Sequence, residues 1–380
     1  MSASHATTLR ARLTTPALLA TLVGFALLSL GTLQLLKLQP AGVDFAGMWG
    51  GAKAAMINVA RLYDFHYVSE LQNWPLGPGR LRPYAYPPSA LLFLAPFAMV
   101  PWNVGYLIWT ALTGAFFAWA GFRAGAPKWF VLIPWVTFAA FCGQVTFLLG
   151  GLVMAALVIN DERPVLAGVL FGMAAAIKPQ LLMLLPLALV AEARWRTIVA
   201  TGVTGLSLCA ASVAVWGLTP WFEWLNALPR FEALVTHAHL LVANAITPYS
   251  ALVYWGEKGT WALLLAPAAA FWVWRTFRRP SDMADRIIAL FGGAFLISPY
   301  AMNYELALFA PATAIYLART KDTRWPGYVL AAIAQAVVVH PAFFNLAVTL
   351  TLPLQKALPA LPLFGRDTPA DAEPSLIPNA

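Results

Sequence analysis

Two charged residues stand where charge is expensive and could do chemistry. Asp44 follows the first long apolar run, in Val43-Asp44-Phe45 with Trp49 about one turn on. A carboxylate fixed at a membrane edge can accept the proton of a sugar hydroxyl as that hydroxyl attacks an anomeric carbon. The same residue reads equally well as the N-cap of a helix beginning there. Lys178 lies in Ala176-Ile177-Lys178-Pro179-Gln180, between two apolar stretches. An ammonium in that setting needs a compensating anion, and the phosphate of a lipid carrier would serve. The competing reading is a lysine snorkelling from a short helix end towards lipid headgroups.

Other polar residues interrupt the apolar segments. Tyr86-Pro87-Pro88 presets an extended lead into the next helix, because a residue before proline is pushed away from helical dihedrals; Tyr86 could also line a sugar pocket. Gln144 follows Gly143 between two apolar runs and either binds substrate hydroxyls or satisfies backbone at a helix break. Ser298-Pro299-Tyr300-Ala301-Met302-Asn303-Tyr304-Glu305 puts Asn303 and Glu305 at the start of an apolar helix. Capping accounts for part of this pattern, while Glu305 lies further in. His237-x-His239 has the look of a metal site, but no carboxylate or cysteine stands at ligand spacing, so no metal is expected. His5 and His66 have no visible partner.

The elements that must hold these residues are helices in lipid. The chain has 380 residues, 60% hydrophobic and only 11% charged, against about 25% charged in an average soluble domain. Apolar runs of about 14 to 22 residues recur along its whole length. The expected fold class is therefore all-α, a single polytopic transmembrane helix bundle over residues 1–380. The net charge of +8 comes from short basic clusters between apolar runs, a positive-inside pattern and not a nucleic-acid footprint. Cys142 and Cys209 fall in apolar segments, where a buried thiol is the default.

A first apolar run at about residues 16–36 follows Arg10 and Arg12, which place the N-terminus in the cytoplasm. Residues 39–86 become a first external loop with one or two amphipathic surface helices. Further segments are expected at about 88–100, 103–121, 129–142, 144–160, 165–177, 180–191 and 197–217, several of them short. A second external loop at 218–258 carries Trp221, Trp224, Tyr254 and Trp255, and segments at about 260–274, 286–299, 303–318 and 326–356 lead to a flexible tail at 359–380. The clusters Arg194/Arg196, Arg275/Arg278/Arg279/Arg286 and Arg319/Lys321/Arg324 all belong in the cytoplasm. Counting every segment as a span puts them outside, so one segment among 88–160, with 129–142 the candidate, fails to cross; the total is roughly 10 to 13 spans. Asp44, Asp64, Tyr86, Gln144, Lys178, Gln180 and the stretch from Ser298 to Glu305 then gather on the external side.

The order of motifs resembles glycosyltransferase family 87. The motifs are Asp44-Phe45 with Trp49, Leu62-Tyr63-Asp64, Tyr86-Pro87-Pro88, Gly143-Gln144, Ala167-Gly168 leading to Ile177-Lys178-Pro179, and Ser298-Pro299. The resemblance implies a polyprenol-phosphate-mannose-dependent mannosyltransferase of the multi-spanning C-type superfamily, in a bacterial plasma membrane with its site facing the periplasm. It implies an inverting transfer with Asp44 as general base and Lys178 facing the carrier phosphate. One departure stands out. Where the mycobacterial branch has Ser-Trp and then histidine, this chain reads Ala301-Met302-Asn303-Tyr304-Glu305, so Tyr304 or Glu305 must do something else.

The expected reaction is direct displacement. The partners are a polyprenyl-phosphate-linked sugar donor, a glycan or glycolipid acceptor and membrane lipid, with no cofactor and no nucleic acid. Lys178, with Arg82, neutralises the departing phosphate and Asp44 takes the acceptor proton. The alternatives are a transporter or flippase for a lipid-linked sugar, which needs polar residues at the midplane of the bundle, and a non-catalytic scaffold.

Overall fold

The computed structural model describes residues 41–72, 82–237, 241–242 and 245–319. The expected first helix with Arg10 and Arg12, His239, Lys321, Arg324, the 326–356 segment and the 359–380 tail lie outside these residues. Among the described residues the chain is helical, with no strand beyond an isolated bridge between Ala245 and Met302.

Each helix begins or ends where the sequence supplies a reason. Helix α1 (Val43–Ile57) starts after Gly42, whose φ of 73° is left-handed. Its nine buried residues, from Val43 to Ala55, lie on every side of the cylinder. The expected surface helix is therefore a core helix, because alanine and glycine dominate it and let neighbours close in all round. Helix α2 (Phe65–Leu71) is capped by Asp64, which accepts from the backbone N–H groups of His66 and Tyr67 at 3.1 Å each. An extended stretch then reaches Pro87, and a short 3-10 turn (Pro88–Ala90) opens α3 (Leu91–Ala98).

Helix α4 (Trp102–Arg123) is 22 residues long and packs against α6 (Thr146–Ile159). Between them the 129–142 segment forms a 3-10 turn and a nine-residue helix, α5 (Pro134–Cys142). At 1.5 Å per residue α5 is about 14 Å long, half of what a bilayer core requires.

Helices α7 (Pro164–Ile177) and α8 (Leu185–Ala191) form a hairpin. Asp161 and Arg194 pair across its open end, and Asn160 Oδ1 accepts from Thr197 Oγ1 at 2.7 Å. Lys178 is therefore the apex, about 21 Å from the open end, the length of the 14 residues of α7. The following helix, α9 (Trp195–Trp216), runs along α7 at close range. A Cβ on Gly168 would stand 2.5 Å from the Cβ of Ala200, and one on Gly172 would stand 2.6 Å from that of Thr204. Small residues at this spacing let two helices touch backbone to backbone, the usual device where no water drives association.

The expected second loop is mostly helical. Helix α10 (Thr219–His237) covers the apex end, followed by α11 (Pro248–Tyr254), a 3-10 turn, α12 (Ala266–Arg278) and α13 (Met283–Ile297). Helix α13 is buried over most of its length and ends at Ser298. A 3-10 turn (Asn303–Phe309) leads into α14 (Ala310–Arg319).

Helices α4 and α9 are each long and apolar enough to cross a membrane. Their outer faces expose Leu107, Ile108 and Leu112 on α4 and Val199, Val203 and Leu206 on α9. Apolar faces of this kind mark a surface made to meet lipid or another protein. Helices α6, α7 and α13, at 14 or 15 residues, reach only about 21–23 Å.

Replacing Gly172 by leucine is expected to force α7 and α9 apart and cost about 1–3 kcal/mol or more. Thermal unfolding of the detergent-solubilised protein measures it, and Gly202→Leu, where a Cβ meets nothing within 4 Å, serves as the control.

Candidate functional site

The apex end holds a cavity of about 190 Å³. Its walls come from α1, the extended stretch before α3, the ends of α5 and α7, the inner half of α10, and the residues after α13. Asp44, Arg82, Tyr86, Gln144, Lys178, Gln180 and Tyr304 all line it. Residues distant in the chain are thus brought to one chamber. Asp64 is not among them. It sits outside, exposed, with its carboxylate taken by Arg61 at 2.7 Å and by the cap of α2. Those contacts hold its pKa below the usual carboxylate value. Asp64 is the cap of α2 and, of the residues expected to bind substrate, it stands outside this cavity.

Asp44 is placed by two left-handed glycines. Gly42 before α1 and Gly143 after α5 both press on the ring of Tyr106, and a Cβ on either would come within 2.9 Å of it. Gly42 N–H also donates to Phe141 O at 2.7 Å. A side chain at either position would meet both strain and collision, so α1 and α5 meet here and Asp44 and Gln144 share one wall. The capping reading of Asp44 fails: Gly42 is the N-cap residue and no side chain caps α1. The carboxylate turns instead to the cavity, where Oδ1 accepts from Arg82 Nη1 at 3.3 Å and the Gln144 and Cys142 side chains also hydrogen-bond to it. Burial raises its pKa above the ordinary value, and Arg82 opposes that rise.

Arg82 keeps a donor in reserve. Its Nε is buried with no hydrogen-bond partner, a condition that usually marks a missing ligand or water. Tyr86 is fixed from two sides: its carbonyl accepts from Tyr63 Oη at 2.8 Å, and its hydroxyl donates to Gln144 Oε1 at 2.9 Å. Gln180 lies across the cavity beside Tyr300, to which it hydrogen-bonds.

Lys178 has an anion of its own. Its ammonium pairs with Glu305, and both side chains are almost fully buried, at 5% and 1% exposure. The other Glu305 oxygen accepts from the N–H of Met302 at 2.9 Å, capping the 3-10 turn. The snorkelling reading of Lys178 is excluded, since it points inward. Glu305 thus neutralises Lys178 and caps its own 3-10 turn at once. Tyr304 lines the cavity beside it.

Two features were missed in the chain. Cys142, read as an inert buried thiol, lines the cavity and touches Asp44. Phe231, Leu234 and Val235 of α10 form an apolar side. Their spacing marks one helix face, the signal that could have found them. The side chain of His237 and residue His239 lie outside the description.

The opposite end of the bundle carries its own charges. Glu192 pairs with Arg286 at 2.7 Å, while Arg194 joins Asp161. Basic residues expected in one compartment thus gather at the open end of the α7–α8 hairpin, away from the cavity.

Removing one member of the buried pair leaves a bare charge in an apolar setting. Glu305→Leu is expected to cost about 3–5 kcal/mol in unfolding free energy, and combining it with Lys178→Met should recover most of that loss. Unfolding of the two single variants and the double variant, followed in detergent, gives the coupling directly.

The profile of glycosyltransferase family 87 matches residues 84–299. The match takes in Lys178, Gln144 and Tyr86 but stops short of Glu305 and begins after Asp44. No curated protein and no solved structure matches the chain. Since the matched stretch exceeds half of the 380 residues, and an all-helical bundle with one chamber of buried acid, base and aromatic groups surrounds it, the chain belongs to glycosyltransferase family 87.

Proposed function

We propose that this glycosyltransferase takes a hexose, mannose in our reading, from a polyprenyl phosphate and transfers it with inversion to a glycan or glycolipid. The bundle is polytopic, with the cavity opening on the periplasmic side of a bacterial plasma membrane and the basic end in the cytoplasm. The observation that carries this reading is the convergence of Asp44, Arg82 and Lys178 on one cavity, from segments far apart in the chain.

The chemistry follows from what each group can still do. A polyprenyl phosphate is a competent leaving group, so the protein has to supply charge and orientation. Arg82 offers its free Nε, and Lys178 has more donors than the one used by Glu305. These meet the phosphate oxygens as the anomeric C–O bond breaks. Asp44 accepts the proton of the acceptor hydroxyl as the new glycosidic bond forms on the opposite face of the sugar. Gln144, Tyr86, Gln180 and Tyr304 surround the space between and suit the hydroxyls of a hexose. The exposed apolar faces of α4 and α9 suit lipid, from which the donor tail enters sideways.

A raised pKa suits Asp44 to this task, because a stronger base takes the hydroxyl proton more readily. Transfer should fall as pH drops through that value, giving an acid limb above the ordinary carboxylate range. Arg82→Ala removes the cation that opposes the rise and should move the limb further up; kcat/KM against pH for both proteins measures it.

Asp44→Asn is expected to lower transfer from radiolabelled polyprenyl-phosphate-mannose by at least about a hundredfold, with donor binding retained. Wild-type turnover in that variant would remove Asp44 from the reaction, and no transfer by the wild-type protein from any polyprenyl-phosphate hexose would overturn the donor assignment.

A further inference from the structure

Gln144 is a buried neutral side chain whose amide is fixed at its oxygen end. Gly143, at a left-handed φ of 70°, closes α5 and turns the chain so that the next side chain lines the cavity. Only 6% of Gln144 is exposed. Its Oε1 accepts from the hydroxyl of Tyr86 at 2.9 Å and from the backbone N–H of Val145 at 3.1 Å. A peptide N–H can only donate, so the amide does not sit the other way round, with its NH2 against Val145. Both lone pairs of the oxygen are used. The NH2 end is left for Asp44, with which the side chain also hydrogen-bonds. The Asp44 carboxylate therefore meets a donor whose direction is set by backbone and by a second cavity residue.

The other contacts of this carboxylate are weaker or less constant. Arg82 reaches it through one long contact, 3.3 Å from Nη1, and in the reading above it also serves the carrier phosphate. Cys142 offers a thiol, a weak donor. The charged or titratable groups facing Asp44 are Arg82 and Tyr86 from the extended stretch, Cys142 from α5, Lys178 from the end of α7 and Tyr304 from the turn after α13. Helix α10 gives the cavity Phe231, Leu234 and Val235, and Lys178 is already bound to Glu305. As the guanidinium turns to a phosphate, the carboxylate loses part of its nearest cation and burial drives it towards the protonated form, which is no base. A neutral donor anchored to backbone opposes that, since a hydrogen bond to the ionised form favours it. It also brings no cation to compete for the phosphate.

We propose that Gln144 is a positioning residue for the general base: its NH2, aimed by Val145 and Tyr86, holds the Asp44 carboxylate in place and in its basic form while Arg82 attends to the leaving phosphate. The proposal rests on the reading above for what Asp44 does, but not for how Asp44 titrates. Two variants of nearly unchanged shape separate it from packing and from a direct contact with sugar. Gln144→Glu keeps the oxygen to which Tyr86 and Val145 donate and replaces the donor by a second carboxylate. Gln144→Met removes the donor. The first readout needs no transfer. It is the infrared carbonyl band of protonated Asp44 in the detergent-solubilised full-length protein, taken as the difference between each protein and the same protein carrying Asp44→Asn, and followed against pH. Its midpoint should rise by about one unit in Gln144→Met and by more in Gln144→Glu, where two carboxylates titrate together. The second readout is kcat/KM for transfer. Its acid limb should rise with the midpoint, a loss of about tenfold per unit at a pH on the limb, carried by kcat and not by the KM for the polyprenyl-phosphate hexose. Thermal unfolding checks that both variants are folded. An unmoved midpoint in both variants would overturn the proposal. So would a raised KM for donor or acceptor with the limb unmoved, the result expected if Gln144 only touches sugar hydroxyls. Midpoints that rise as expected beside no transfer from any polyprenyl-phosphate hexose would leave the hold on Asp44 standing and defeat the donor assignment alone.

Discussion

The buried pair between Lys178 and Glu305 is the constraint on which the site depends. Each ion alone would cost several kcal/mol to hold away from water. Together they tie the apex of the α7–α8 hairpin to the turn that follows α13. Because Glu305 also caps that turn through Met302, the bond fixes backbone as well as side chains. The lysine is therefore held at the cavity wall by a bond that also orders the turn after α13.

A second charged contact works differently. Asp44 and Arg82 touch at 3.3 Å on the cavity wall, each keeping about a fifth of its side chain exposed. That contact is long and single, so the arginine retains capacity for another anion while tempering the basicity of its neighbour. One pair thus acts as a structural tie and the other as an adjustable one. Burial separates them: where water is excluded the ions must satisfy each other, and where the cavity opens they need not.

Helix α10 ties the cavity wall to the rest of the fold. Its Trp224 Nε1 donates to Ala85 O at 3.3 Å and its Trp221 Nε1 to Ser212 Oγ at 3.1 Å, fixing it to the stretch carrying Tyr86 and to the end of α9. Two of the tryptophans expected in an external loop are thus part of the hydrogen-bonded cover of the site. Pro229 lies between the outer half with Glu223 and Trp224 and the inner half with Phe231, and removes one helical hydrogen bond there.

The sequence by itself determined the helical segments and most of their breaks, because apolar periodicity and proline or glycine stops are local. The segments expected at 103–121, 144–160, 165–177 and 197–217 return as α4, α6, α7 and α9, and the short 129–142 segment returns as a turn and a half-length helix. It also marked Asp44, Lys178, Tyr86 and Gln144, since polar groups among apolar runs are costly wherever they end up. It could not assign partners. Asp64 sits beside an apolar run much as Asp44 does, yet one caps a helix and the other lines the cavity. Lys178 called for an anion, but that the anion is Glu305, 127 positions away, is a property of how α7 and α13 end side by side. Only tertiary structure decided this, because the energy of a buried ion pair depends on distance and on excluded water, and neither is a local property of the chain.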